Sequence, residues 1–316
     1  MGRHGVDLTV LEPDPSDVVP DEHRPPDPLQ RFTSGGWKRG VIRLLVGVVL
    51  VVGVISYTGT EPLKRLLDPN VALFLLLGAV VHLGQRAARI LKWSYMIEGT
   101  VLVQHGWRYL LRVQLIGMMG NLLLPVSEGL KVWAVSRTRV QAKIGVESIA
   151  AETALHALFV GAAGALGVAF VATAPTTLKW VSGVVVAAPL ALLVVLNRWP
   201  RESATGIRVA EPRVIGWCVV ETACQLFLYA LALHALGVPI SVTLILALSP
   251  VLFLADLIMI TPSGLGMREA LFAVVLPLLA GATAETGVAA GLLVSSMLLV
   301  ATLAGGGLAL LLPREE

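Results

Sequence analysis

The sequence predicts an all-α, polytopic membrane protein with about six full spans and two re-entrant or broken helical hairpins, the whole forming an inverted repeat. Three observations carry that reading. Hydrophobic residues make up 56% of the 316, charged residues 14%, and mean hydropathy is +0.80, a balance expected of a chain solvated by lipid. Apolar runs alternate with short loops in which Lys and Arg gather, the pattern that sets topology in membranes. Two of the apolar runs are interrupted by related Pro- and Gly-bearing segments at corresponding places in the two halves, a feature of transporter binding sites.

Residues 1–36 read as a disordered, acidic, Pro-rich tail. They hold seven acids against three arginines, a net charge of −4 that leaves +7 on the rest of a chain whose total is +3. Six prolines and few large apolar residues leave this stretch too little surface to bury. No cleavable signal peptide is expected from so polar a start. Residues 37–316 read as one transmembrane domain with repeat halves at about 40–172 and 179–312. The positive excess lies in its loops, so it is topological and no nucleic-acid partner is expected. Cys218 and Cys224 fall in one apolar segment, which excludes a disulfide framework. No metal-ligand spacing or nucleotide-binding loop occurs, so neither metal nor cofactor is expected.

Trp37-Lys38-Arg39 precedes the first run, Val41 to Tyr57, and places the N-terminus in the cytoplasm. The return span begins at Asn70 and reaches about Gln85. Arg86, Arg89, Lys92, Arg108 and Arg112 then mark residues 86–112 as a cytoplasmic region, with 93–104 along the interface. Val113 to Leu124 covers only about 18 Å of a hydrocarbon core about 30 Å thick. Both its flanks are basic, so it is expected to enter from the cytoplasm, turn at Pro125 to Gly129 and return. Val146 to Val171 runs outward, and Val181 to Leu196 returns to a loop carrying Arg198, Arg201, Arg208 and Arg213. Val214 to Gly237 runs outward again, and Ile240 to Ile260 enters from outside. A second break follows at Pro262, then the short Ala270 to Ala280. Ala282 to Gly287 reads as an external loop. Gly291 to Leu312 is the last inward span, ending in a cytoplasmic C-terminus. Full crossings by 240–260 and 268–281 satisfy the same side assignments.

The two breaks carry the candidate site. The first reads Asn121-Leu-Leu-Leu-Pro-Val-Ser-Glu-Gly-Leu-Lys131, the second Thr261-Pro-Ser-Gly-Leu-Gly-Met-Arg-Glu269. Pro125, Gly129 and Lys131 keep the spacing of Pro262, Gly266 and Arg268, so each break places a cation six residues after its proline. A lipid headgroup crossing the bilayer must have its phosphate shielded, because a charge at mid-membrane costs about 2.5–3.5 kcal/mol or more. Lys131 and Arg268, each expected in the first turn of a new helix, supply cations where exposed N–H groups also favour an anion. Gly264 and Gly266 permit a tight turn and close approach to a ligand, or simply break a helix. Ser127 and Ser263 either donate to headgroup oxygens or satisfy backbone groups freed by proline. Glu128, Glu152, Glu221, Asp256 and Glu269 lie in or near apolar depth, where acids act as proton relays or counter-ions. Glu152 and His156, four residues apart, share a helical face and form the best-spaced relay pair. A structural ion pair is the alternative for Glu152 and for Arg268.

These segments resemble the flippase-like integral membrane family related to the transmembrane region of lysylphosphatidylglycerol synthases. The resemblance covers about residues 40–312. Its most specific element is Pro262-Ser-Gly-Leu-Gly-Met-Arg-Glu269, similar to that family's Pro-Gly-Gly-Leu-Gly-x-Arg-Glu, with Ser263 replacing a glycine. Asn121 and Pro125, followed by Gly129 and Lys131, are similar to an earlier Asn-x-x-x-Pro segment of the family, and Thr153 departs from an Arg that commonly follows the acid at Glu152. The larger synthases carry a soluble aminoacyl-transfer domain that is not seen here. The resemblance therefore implies translocation of a phospholipid, glycolipid or polyprenyl-phosphate-linked substrate across the cytoplasmic membrane, not catalysis. A non-transporting partner of a lipid- or glycan-synthesis enzyme is the alternative. A membrane glycosyltransferase is a weaker one, for which Glu61 and Asp68 are the only acids of the first external loop.

Overall fold

The chain is described from a computed structural model. It describes residues 68–98, 107–121, 127–136, 139–170, 211–257 and 266–312, together with positions 100, 102, 207–209, 264 and isolated residues within 45–64 and 176–194. The acidic tail and most of the first predicted span and of the Val181 to Leu196 span lie outside the described residues.

Among the described residues the secondary structure is helical, in eight elements. They are α1 (Pro69–Met96), α2 (Trp107–Gly120), α3 (Ser127–Val135), α4 (Arg139–Phe170), α5 (Pro212–Ala235), α6 (Val242–Leu257), α7 (Met267–Ala280) and α8 (Ala284–Leu311). Four are long and apolar enough to cross a membrane: α1, α4 from Val140, α5 and α8. At 14 residues each, α2 and α7 reach only about 21 Å. The chain is thus a multi-pass helical membrane protein. Its outer faces are apolar, with Leu73, Leu76 and Val80 on α1, Leu166 and Phe170 on α4, and Leu303 and Leu310 on α8 all exposed, as lipid contact requires.

Local chemistry fixes the helix ends. Pro69 opens α1, where its missing N–H costs nothing, and Asp68 accepts a hydrogen bond from the Asn70 N–H at 2.9 Å. Pro212 opens α5 in the same way. Thr283 caps α8, its hydroxyl oxygen accepting from the Thr286 N–H at 3.2 Å. Inside α6, Pro250 frees the carbonyl of Leu246. The Ser249 hydroxyl takes it up at 2.7 Å and also lies 3.1 Å from the Val160 carbonyl of α4, so one side chain repairs the helix and ties it to its neighbour.

Helix α1 packs mainly on α5 and α8, α4 on α6, α7 on α8, and α2 on α8 and α3. The main core lies where α1, α5, α6, α7 and α8 meet, around Leu228, Tyr229, Leu248, Phe272, Leu276, Leu293 and Met297. Small residues set the closest approaches, since association within lipid is driven by packing. Gly287 and Gly291, four apart on α8, face the backbone of α7. A Cβ at 291 would lie 2.6 Å from the Glu269 Cα, and one at 287 would lie 2.7 Å from the Ala273 Cα.

Two stretches differ from the sequence reading. Residues 86–96 continue α1 instead of leaving it as a loop, because Arg89 and Lys92 are held by buried partners rather than by water. Residues 284–287 form the first turn of α8, and Gly287 packs there against the backbone of α7. Gly291→Ala and Gly287→Ala are each expected to lower stability by about 1–3 kcal/mol through backbone clash. Gly216→Ala, which meets nothing within 4 Å, is expected to be neutral or stabilising by up to about 1 kcal/mol. Thermal melting of the purified protein in detergent checks the contrast, and equal melting of all three variants would refute it.

Candidate functional site

A buried network of charges joins α1, α3, α4 and α5. Arg89 lies in the last two turns of α1. Its Nε donates to both oxygens of Glu152 on α4, at 3.0 and 3.2 Å, and its Nη2 donates to Oε2 at 2.9 Å. The same Nη2 lies 3.2 Å from Glu128 Oε1 on α3. Lys92, one turn further along α1, has its Nζ 2.8 Å from Glu152 Oε1 and also donates to Glu221 on α5. Lys131 Nζ is 2.7 Å from Glu128 Oε2 and 4.0 Å from Glu152 Oε2.

Three cations therefore face three carboxylates. Glu152, Lys92 and Lys131 are fully buried, and Glu221 nearly so. Such a cluster persists in apolar surroundings only if its charges cancel and its donors find acceptors. The Arg89 fork matches a carboxylate in two places, which makes Glu152 the hub. Aromatic and hydroxyl groups hold the frame: Lys131 Nζ lies 5.8 Å from the centre of the Trp93 ring, and Trp93 Nε1 donates to Ser148 Oγ at 3.0 Å. His156 Nδ1 is 3.5 Å from Glu221 Oε1, with the ring edge-on to Phe253.

The first break thus contributes Glu128 and Lys131. Helix α3 begins at Ser127, so Gly129 lies within the helix rather than at the turn, and Lys131 stands in its second turn, not its first. Asn121 follows the end of α2, its N–H donating to the Gly117 carbonyl at 2.9 Å. Glu152 pairs with cations, and His156 with Glu221, so the two residues expected to relay to one another sit in adjoining parts of one network. Pro125, Pro262 and Ser263, and the side chains of Ser127 and Asp256, lie outside the described residues.

The second break is built differently. Gly264 and Gly266 have φ of 73° and 87°, left-handed values that favour glycine. Arg268 and Glu269 open α7, both buried. The Glu269 carboxylate accepts from the Gly266 N–H at 2.6 Å and from the Ser295 hydroxyl of α8 at 2.7 Å. It closes the turn it belongs to and pins α7 to α8, the acid's half of a capping box. Arg268 is within electrostatic reach of His82 on α1. Helix α3 packs mainly on α2 and α4, and α7 mainly on α8 and α6.

Arg89, Lys92, Trp93 and Ser148 were not predicted. Their signal was charge balance: Glu128, Glu152 and Glu221 together require three cations.

The sequence matches the family described as Lysylphosphatidylglycerol synthase TM region over residues 41–306. The chain belongs to that family. Membership points to a membrane lipid-related role. No curated protein matches the chain, and no solved structure does.

Removal of the hub carboxylate leaves Arg89 and Lys92 buried without their common partner. Glu152→Gln is expected to lower stability by about 3–5 kcal/mol, and Lys92→Met in the same chain to recover part of that loss. A double-mutant cycle in thermal or denaturant unfolding measures the coupling. Additive effects would remove the network as a determinant of the fold.

Proposed function

We propose that this chain translocates a phospholipid, glycolipid or polyprenyl-phosphate-linked substrate across the cytoplasmic membrane, driven by an ion gradient or by mass action. One observation carries the reading: Arg89 and Lys131 are held beside the break before α3, next to a carboxylate that is partly open. A phosphate leaving water needs this kind of partner, because cations already paid for by assembly of the fold need not be desolvated again. Leu130, the neighbour of Lys131, lines an apolar groove of about 190 Å³ with Tyr109, Val113, Ile116, Trp133 and Ala134, and Arg112 at its wall. Adjacent residues of α3 thus serve a charged site and an apolar groove, as an amphipathic substrate needs. The second break would complete the path through Arg268, with Gly264 and Gly266 giving close backbone approach. The His156–Glu221 pair would be the proton-coupling element. The architecture that goes with this reading is an inverted repeat of about six spans and two broken hairpins, with both termini cytoplasmic.

Proteoliposomes test it. Fluorescent lipids with a panel of headgroups are expected to cross at headgroup-dependent rates. A Lys131→Ala/Arg268→Ala chain matched in helix content and melting temperature is expected to lose at least about tenfold of that rate, the worth of one charge-assisted contact. No movement of any headgroup, with or without a pH gradient, would overturn translocation and favour a non-transporting role beside a lipid-synthesis enzyme.

A further inference from the structure

Glu128 differs from every other member of the charge network. Its side chain is 37% exposed, against 16% for Arg89 and 0% for Lys131, Glu152 and Lys92. It comes from α3, the shortest described helix at nine residues, directly after the break. The three remaining helices hold one another without it: Arg89 and Lys92 share Glu152, and Lys92 also reaches Glu221. Lys131, by contrast, is fully buried and has Glu128 as its near carboxylate at 2.7 Å, with Glu152 further off at 4.0 Å. The two Glu128 oxygens are divided between two cations, Oε1 toward Arg89 and Oε2 toward Lys131. Oxygens of one small anion bridging a guanidinium and an ammonium are the arrangement a phosphate monoester or diester would adopt there.

We infer that Glu128 is a tethered surrogate for the substrate anion: its carboxylate occupies the Arg89–Lys131 site in the resting state, and the phosphate of the substrate displaces it. The inference rests on the translocation reading and names the chemical group that reading requires at this position. Without Glu128 the buried cluster holds three cations and two carboxylates, an uncompensated positive charge that one phosphodiester anion neutralises. The Glu128 side chain, 37% exposed although its Oε2 is buried, is the member that water can receive at least cost. The other two acids are sealed and remain as counter-ions. Glu128 also discriminates: a neutral lipid has nothing with which to replace it.

Binding to the full-length chain in detergent micelles tests the exchange, with dioctanoyl phosphatidylglycerol, dioctanoyl glycerol and inorganic phosphate as probes. Glu128→Gln removes the competing charge and keeps the shape. It is expected to bind dioctanoyl phosphatidylglycerol at least about tenfold more tightly than the unmodified chain, the equivalent of one charge-assisted hydrogen bond, with no gain for dioctanoyl glycerol. Glu128→Asp, which keeps the charge on a shorter arm, is expected to fall between them and serves if Glu128→Gln fails to fold. E128Q/R89Q is expected to lose the gain. Glu285→Gln, in the first turn of α8, alters net charge equally and is expected to bind as the unmodified chain does. Equal or weaker binding by both folded Glu128 variants, while the unmodified chain binds the anionic lipid, overturns the surrogate role and leaves the translocation reading standing. A gain for inorganic phosphate alone supports the anion site and sinks the lipid substrate. Binding of neither anion by any variant overturns both.

Discussion

Charge cancellation in an apolar surround is the constraint on which the arrangement of α1, α3, α4 and α5 depends. A lone Lys or Glu at such depth is expensive, and so is a pair with unused donors. The cost falls only when several charges share partners, as Glu152 does with Arg89, Lys92 and, more remotely, Lys131. Sharing fixes positions. Arg89 and Lys92 must lie on one face of α1, which their three-residue spacing provides. The α4 helix must present Glu152 to both, and α5 must bring Glu221 within reach of Lys92. The network therefore specifies register among helices whose remaining contacts are largely Leu, Val and Ala, side chains that tolerate sliding.

The two broken segments look alike in sequence but use their acids differently. At the second, Glu269 is spent on backbone and hydroxyl donors from its own turn and from α8. That carboxylate is internal to the fold, and the absence of side chains at Gly287 and Gly291 lets α8 lie against it. At the first, Glu128 pairs with the cations Arg89 and Lys131. The same position after a break, an acid near the start of a helix, thus yields a structural cap in one half and an exchangeable counter-ion in the other. What decides is the local backbone: left-handed glycines at 264 and 266 present an N–H to Glu269, whereas α3 is regular helix by Glu128.

Much of this was legible in the chain. Helical class, membrane residence and the position of both breaks followed from apolar periodicity and from Pro and Gly. Glu128, Lys131, Glu152, His156 and Glu221 were identified as candidate site residues because ionisable groups in apolar runs are rarely idle. Arg89 and Lys92 were missed for a physical reason. A cation near the end of an apolar run reads as loop under the positive-inside pattern, and only a count of buried acids reveals that it is needed inside. The packing role of Gly287 was not legible, since only the partner helix α7 reveals the close approach.

The balanced network also limits how an anion could be moved. Adding a phosphate to three cations and three carboxylates would leave excess negative charge in a low-dielectric site, where its energy is greatest. Either an acid must leave or a proton must enter. Glu128 can leave, since it is partly in water already and its departure breaks no contact among α1, α4 and α5. A phosphodiester then restores neutrality one for one, and no proton is required. A phosphate monoester, with charge nearer −2, exceeds that exchange by about one unit, and the His156–Glu221 pair is the neighbouring group able to take up the balancing proton. Substrate charge would thereby determine whether transport follows the lipid gradient alone or also draws on protons.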